Sequence, residues 1–250
     1  MKYHLGLVDL PVVGPDPSSD DFVTQLYESR RLKNVLPPIG SETWGFEVEL
    51  YLRGLKGQDL GVQTLLGTWF ADIGGQHHTV YGDYLRQTPF PRQKYHLVHD
   101  VSVGPTKWRT VEVRSPVFSS GRLMRAALRA LMRYLQKAAK VRILPTCGIH
   151  IHMGTLSDAM ATRLSDCILS HPVRQEIIDF LLQSERRQTL FEYAYPGNGG
   201  GGRTRYAEVN LQSIRDHGTV EYRALGATTP WDVIDRMLTQ VLIPCRKKIV

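Results

Sequence analysis

The 250-residue chain is 42% hydrophobic and 22% charged, an ordinary globular composition that excludes disorder, collagen and coiled coil. A chain of this length buries about three quarters of the surface its unfolded form exposes, so it needs neither disulfide nor metal merely to fold, and any metal site must serve chemistry. The formal net charge of +7 is concentrated: between Ser119 and Arg142 stand Arg122, Arg125, Arg129, Arg133, Lys137, Lys140 and Arg142 without one acid.

Residues 1–40, rich in Pro, Gly and Asp, read as an N-terminal arm with a helix over 21–33 that Pro37, Pro38 and Gly40 close off. Residues 41–250 read as the main domain. From Thr43 the pattern turns to period two, with Phe46, Val48 and Leu50 alternating with Glu47, Glu49 and Tyr51, as a half-buried strand requires. A helix follows over 61–73. Further strands are expected over 95–103, 108–116, 146–154, 205–211 and 218–225, all short and rich in β-branched or aromatic residues. Helices are expected over 120–140, 157–169, 172–186 with Pro172 in the first turn, and 230–242 behind Thr229 as N-cap and Pro230.

Strands and helices thus come in mixed blocks without strict βαβ alternation. The pattern favours an α+β fold, a mainly antiparallel sheet with helices packed on one face. The PGNGGGGR segment, 196–203, contains a GxGxxG string, but a strand-like segment follows it where a dinucleotide turn needs a helix. It reads as a plain connection or a flap over a site. The longest apolar stretches are strand-sized, short of the roughly 20 residues that cross a bilayer, and the first twenty residues carry Lys2, Asp9, Asp16 and Asp20. No signal peptide or membrane span is expected. Cys147, Cys167 and Cys245 lack CxxC spacing and cannot all pair, which fits a reducing compartment, and a cytoplasmic location is expected.

Polar groups recur two apart on the strands: Glu47 with Glu49, Glu112 with Arg114, His150 with His152, Glu221 with Arg223, and, with the same period, Asp100 with Ser102 and Glu208 with Asn210. On a strand this spacing puts both side chains on one face, roughly 6 to 7 Å apart. Any half-buried strand has a polar face, but a solvated one draws on Thr, Lys, Ser and Gln. These faces hold Glu, Asp, His, Asn and Arg with hardly a lysine. Gathered on one sheet, several carboxylates repel unless cations sit among them. Glu oxygens with imidazole nitrogen suit Mg²⁺ or Mn²⁺, and arginines beside them suit phosphate oxygens.

The ordered blocks GFEVEL, HDVSV, VEVRSP, CGIHIHMG, RYAEVNLQS and HGTVEYRALGAT, spanning roughly residues 43 to 242, resemble the amidoligases of the carboxylate-amine ligase superfamily, whose catalytic core is like that of glutamine synthetase. The resemblance implies a curved, mainly antiparallel sheet with its site on the concave face. It implies an ATP-dependent ligase that turns a carboxylate into an acyl phosphate for attack by an amine. Carried over by position, Glu47 and Glu49 belong to two metal sites; Glu112 joins Glu49 at one, and His150 and Glu221 join Glu47 at the other. Arg223 would contact transferred phosphate, and Arg203 or Arg205 nucleotide phosphates. Asp100 would support metal or bind the amine, and His152 and Asn210 would contact substrate or back the ligands. The substrates implied are small-molecule or peptide carboxylates and amines, with ATP and Mg²⁺ or Mn²⁺ as cofactors. His77 and His78 fall in a stretch without a matching block and read as surface loop or substrate contact.

Two other functions fit the residues. A metal-dependent amide hydrolase built on the His and Glu positions would cleave amides without ATP. A non-catalytic binding module would act through the basic helix 120–140, which sets Leu123, Met124, Ala127, Leu128, Leu131 and Leu135 toward a core and its cations in a stripe on the other side. That stripe reads as a solvated face or as a dock for an acidic partner.

Overall fold

The structure, a computed structural model, describes residues 42–52, 76–77, 96–99, 109–137, 141–154, 157–184, 194 and 206–249. The expected arm and helix before residue 41, the helix over 61–73, the 196–203 segment, and Asp100, His78, Arg203 and Arg205 lie outside these residues, so the proposed boundary at 40/41 does too.

The strands are β1 (Trp44–Leu52), β2 (Gln76–His77), β3 (His96–His99), β4 (Arg109–Arg114), β5 (Val141–Arg142), β6 (Gly148–Gly154), β7 (Val209–Asn210) and β8 (Thr219–Gly226). They form one sheet in the order β2-β3-β4-β1-β6-β8-β7, with β5 beside the end of β1. β2 and β3 run parallel and every other pairing is antiparallel. The strand expected over 205–211 shortens to Val209–Asn210. Its flanks are held otherwise, since Glu208 is paired with Arg174 and the Asn210 amide oxygen accepts from the Gln212 N–H.

Period-two alternation sorts the sheet into two faces. Phe46, Val48 and Leu50, Val111 and Val113, Ile149, Ile151 and Met153, and Val220, Tyr222 and Ala224 are buried in one core cluster with the helices. The helices are α1 (Gly121–Lys137), α2 (Asp158–Leu169), α3 (Pro172–Gln183), α4 (Ser213–His217), α5 (Trp231–Arg236) and, beyond wider π-type turns over Met237–Leu242, α6 (Ile243–Ile249). Ser157 caps α2 by accepting from the Met160 N–H, and Pro172 opens α3 as expected. Pro244, the second residue of α6, has no N–H for a helical bond and stands two residues beyond the last of the wider turns. Gly121 lets α1 start against the last helix, since a Cβ there would lie 2.6 Å from Ile243 Cγ1.

Two expectations need correction. Thr229 is not the cap of α5: its hydroxyl accepts from the Gly226 N–H at 3.0 Å, and the Pro230 carbonyl receives the N–H groups of Val233 and Ile234. The α1 basic stripe is not simply a solvated face. Arg125 forms a two-point ion pair with Asp235, and the Arg129 guanidinium lies 5.7 Å from the Trp231 ring centroid. Three cysteines cannot all pair: Cys167 in α2 and Cys245 in α6 are joined as a disulfide, their Cα atoms 5.7 Å apart, while buried Cys147 accepts from the Leu144 N–H. Among the described residues no helix is long and apolar enough to cross a membrane.

Candidate active site

Register turns the polar positions into a site. Glu47 stands opposite Arg114 on one side and His150 on the other, and Glu49 opposite Glu112. In the adjoining row His152 faces Glu221, which also faces Asn210. The β6–β8 register shifts between Ile149 and Ile151, a bulge beside the site of the kind that re-aims side chains.

The contacts are close. Glu47 lies 3.2 Å from Arg114 Nε through Oε1, and its Oε2 is 3.4 Å from His150 Nδ1 and 3.6 Å from His152 Nε2. His150 Nδ1 is also 3.2 Å from Glu221 Oε1, and His150 Nε2 is 3.7 Å from Glu49 Oε1. Arg114 Nε donates to Glu112, Arg223 Nη1 donates to Glu221 Oε1, and Asn210 Nδ2 donates to Glu221 Oε2 at 2.6 Å. Glu49, Glu112, His150, Glu221 and Asn210 are all buried, so these groups answer to one another more than to bulk water.

Crowding splits the titration of like groups. Burial raises the Glu47 carboxyl, but Arg114, His152 and His150 outweigh it and hold the group well below the usual carboxylate range. Burial and the Glu47 charge push Glu112 up to about 7, against the pull of Arg114 and His150. Glu221 is held low, its burial overcome by His150, Arg223 and His152. His152 is raised, burial being overcome by Glu47 and Glu221.

Two groups of ligand atoms each gather within 4.8 Å: Glu47, Glu112 and His150, and Glu47, His152 and Glu221. Glu47 belongs to both. Glu49 belongs to neither and instead accepts from the Gly148 N–H at 2.6 Å, a different grouping from the one the resemblance implies. The donor set fits a hard divalent cation, with carboxylate oxygens in the majority and an imidazole in each group. The buried His152 Nε2, which has no hydrogen-bond partner, fits a ligand role as well.

Arg114 was read from the sequence beside Glu112, while three residues near this cluster, Thr219, Ser213 and Gly148, were not singled out there. Arg114 bridges Glu47 and Glu112, the Thr219 hydroxyl lies 3.0 Å from His152 Nδ1, and Ser213 lies 2.9 Å behind Thr219. Gly148 leaves the room in which Glu49 and His150 meet, for a Cβ there would sit 2.7 Å from His150 Nε2. Two of the three had a signal: Thr219 and Gly148 each stand two residues from a site residue on the same strand. Ser213, on α4, had none.

With the site in view, the chain can be set among known proteins. A family model described as "Putative amidoligase enzyme" matches residues 41–198, more than half of the sequence, and the chain belongs to that family. Glu221 and Arg223 lie beyond the matched stretch and reach the site through the pairing of β8 with β6. Among solved structures it is similar to a glutamine synthetase of Plasmodium falciparum determined by cryo-electron microscopy, with 11% identity and a TM-score of 0.41. The alignment covers 91% of this chain and 55% of that one, so the chain spans little more than half of that protein's length. No curated protein matches it.

Proposed function

We propose that the chain is an ATP-dependent ligase that joins a carboxylate to an amine through an acyl phosphate, with Mg²⁺ or Mn²⁺ held at Glu47, Glu112 and His150 and at Glu47, His152 and Glu221. The observation that carries this reading is the Glu47 carboxylate shared by two ligand groups, with Arg114 against it and Arg223 against Glu221 of the second group. Family membership supports ligation over amide hydrolysis.

A carboxylate is a poor electrophile. In the proposed reaction its oxygen attacks the γ-phosphorus of ATP, the bond to the bridging oxygen breaks and ADP leaves. The amine nitrogen then attacks the acyl carbon, the carbon–oxygen bond to phosphate breaks, and the nitrogen gives up a proton. A bound divalent cation neutralises charge on the phosphate oxygens.

The chain's own residues do the rest by position. Arg223 and Arg114 offer guanidinium groups to the oxygens of the phosphoryl group in transfer, where donors fixed in advance act most strongly. Asn210 holds Glu221 by one oxygen and leaves the other to the site. Burial and the Glu47 charge favour the protonated form of Glu112, and a cation held there would favour its carboxylate instead. Arg203 or Arg205 is assigned to the nucleotide phosphates and Asp100 to the amine or a metal. Such chemistry needs no covalent enzyme nucleophile, which leaves the cysteines to packing and cross-linking.

The test is incubation of purified protein with ATP, Mg²⁺, a panel of carboxylates and hydroxylamine as the amine. ADP and hydroxamate should appear together and in equal amounts. Amide cleavage without ATP would replace this reading with the hydrolase.

A further inference from the structure

His152 is reached from outside the ligand cluster by hydroxyl groups. Its Nδ1 is 3.0 Å from Thr219 Oγ1, which is 2.9 Å from Ser213 Oγ. Ser213 is buried at the start of α4, and Gly218, at a φ of +70°, turns the chain straight from that helix into β8, which brings the two hydroxyls together. The His217 ring stands edge-on to His152 at 5.9 Å. On the far side of the ring, Nε2 is buried, lacks a hydrogen-bond partner and points among Glu47 and Glu221.

We infer that Thr219, backed by Ser213, is a positioning residue: its hydroxyl oxygen accepts a hydrogen bond from the Nδ1–H of His152 and its own O–H donates to Ser213 Oγ, which leaves Nε2 as the atom presented to Glu47 and Glu221. A threonine hydroxyl has one proton to donate. If that proton went to Nδ1, Nε2 would carry the ring's own proton and could not be a ligand. With the threonine O–H donated to Ser213, the Nδ1–H bond leaves Nε2 free to hold a cation. The partner of one imidazole nitrogen thereby sets the role of the other.

This inference rests on the metal-bearing reading proposed above, and the experiment separates the two. Mn²⁺ alone is titrated into the wild type, Thr219→Val and Thr219→Ser, with melting curves as a check on folding, and the His152 ring nitrogens are observed by ¹⁵N NMR in the metal-free wild type. Thr219→Val should bind the ion at Glu47, His152 and Glu221 about 10- to 100-fold more weakly. Thr219→Ser should stay within about 3-fold of the wild type, since the hydroxyl is what matters. The NMR spectrum should show a proton on Nδ1. Equal Mn²⁺ affinity in Thr219→Val, equal losses in the Val and Ser variants, or a neutral ring protonated at Nε2 alone would each overturn the positioning role. Absence of Mn²⁺ binding in the wild type would overturn the ligase reading, while the NMR result would still judge the role of Thr219.

Discussion

Glu47 and His150 face each other across the β1–β6 ladder with Oε2 3.4 Å from Nδ1, and the same oxygen lies 3.6 Å from His152 on the next row. One carboxylate thus joins both ligand groups. Glu47→Gln keeps the volume and removes the charge, and it should abolish ion binding at both groups and lower ligation by more than about 100-fold, beyond what loss of a supporting residue costs. Glu221→Gln and Glu112→Gln should each weaken one group only. Mn²⁺ stoichiometry on the three variants reads this directly; an unchanged stoichiometry in Glu47→Gln would contradict the shared role.

Glu112 sets a pH dependence. Its carboxyl, ordinarily at 4.5, is pushed up to about 7 in the folded chain, so the unfolded chain loses this proton first. Stability from this group is therefore fully present below 4.5, falls as pH rises toward 7, and is level above. Held in chelator, Glu112→Gln should gain on the wild type in melting temperature between pH 5 and pH 8. A constant difference would show that the carboxyl titrates normally.

Gly148 admits the approach of Glu49 to His150. A Cβ there would stand 2.7 Å from His150 Nε2 and 3.1 Å from Glu49 Oε2, so Gly148→Ala must displace functional atoms. The variant should lose at least about 10-fold in Mn²⁺ affinity while overpacking costs about 1–3 kcal/mol. Wild-type binding measured beside a denaturation curve would refute the steric argument.

Arg174 and Glu208 form a buried ion pair, with Nε donating to Oε1 at 2.8 Å, that ties α3 to the segment entering β7. Glu208→Ala leaves an unpaired buried cation and should cost about 3–5 kcal/mol. Adding Arg174→Met should restore much of it, because the destabilisation lies in the unpaired charge. Urea denaturation of both single variants and the double variant closes the cycle, and simple additivity would mean the pair is not coupled.

Much of this site was legible because strand geometry enforces period two: on each strand the face opposite the buried apolar residues carries the charged groups, Glu47 with Glu49, Glu112 with Arg114, His150 with His152 and Glu221 with Arg223. Which atoms converge depends on register, which no strand specifies alone. The alignment of Glu47 with both Arg114 and His150, and the bulge near Ile149, decide that Glu49 turns to Gly148 while His152 joins Glu221. Long-range partners were out of sight for the same reason. The spacing of the α1 arginines announced a stripe, but Asp235 is 110 residues from Arg125 and Cys245 is 78 from Cys167. Thr229 shows a local limit, as its hydroxyl had a choice of backbone N–H groups and satisfied Gly226.

The central claim is that the carboxylate substrate is phosphorylated before the amine attacks, and the most direct measurement follows an oxygen atom. With a carboxylate labelled in both oxygens with ¹⁸O, ATP, Mg²⁺ and the amine, one labelled oxygen should appear in inorganic phosphate for each amide formed. Amide formed alongside unlabelled phosphate would contradict the account.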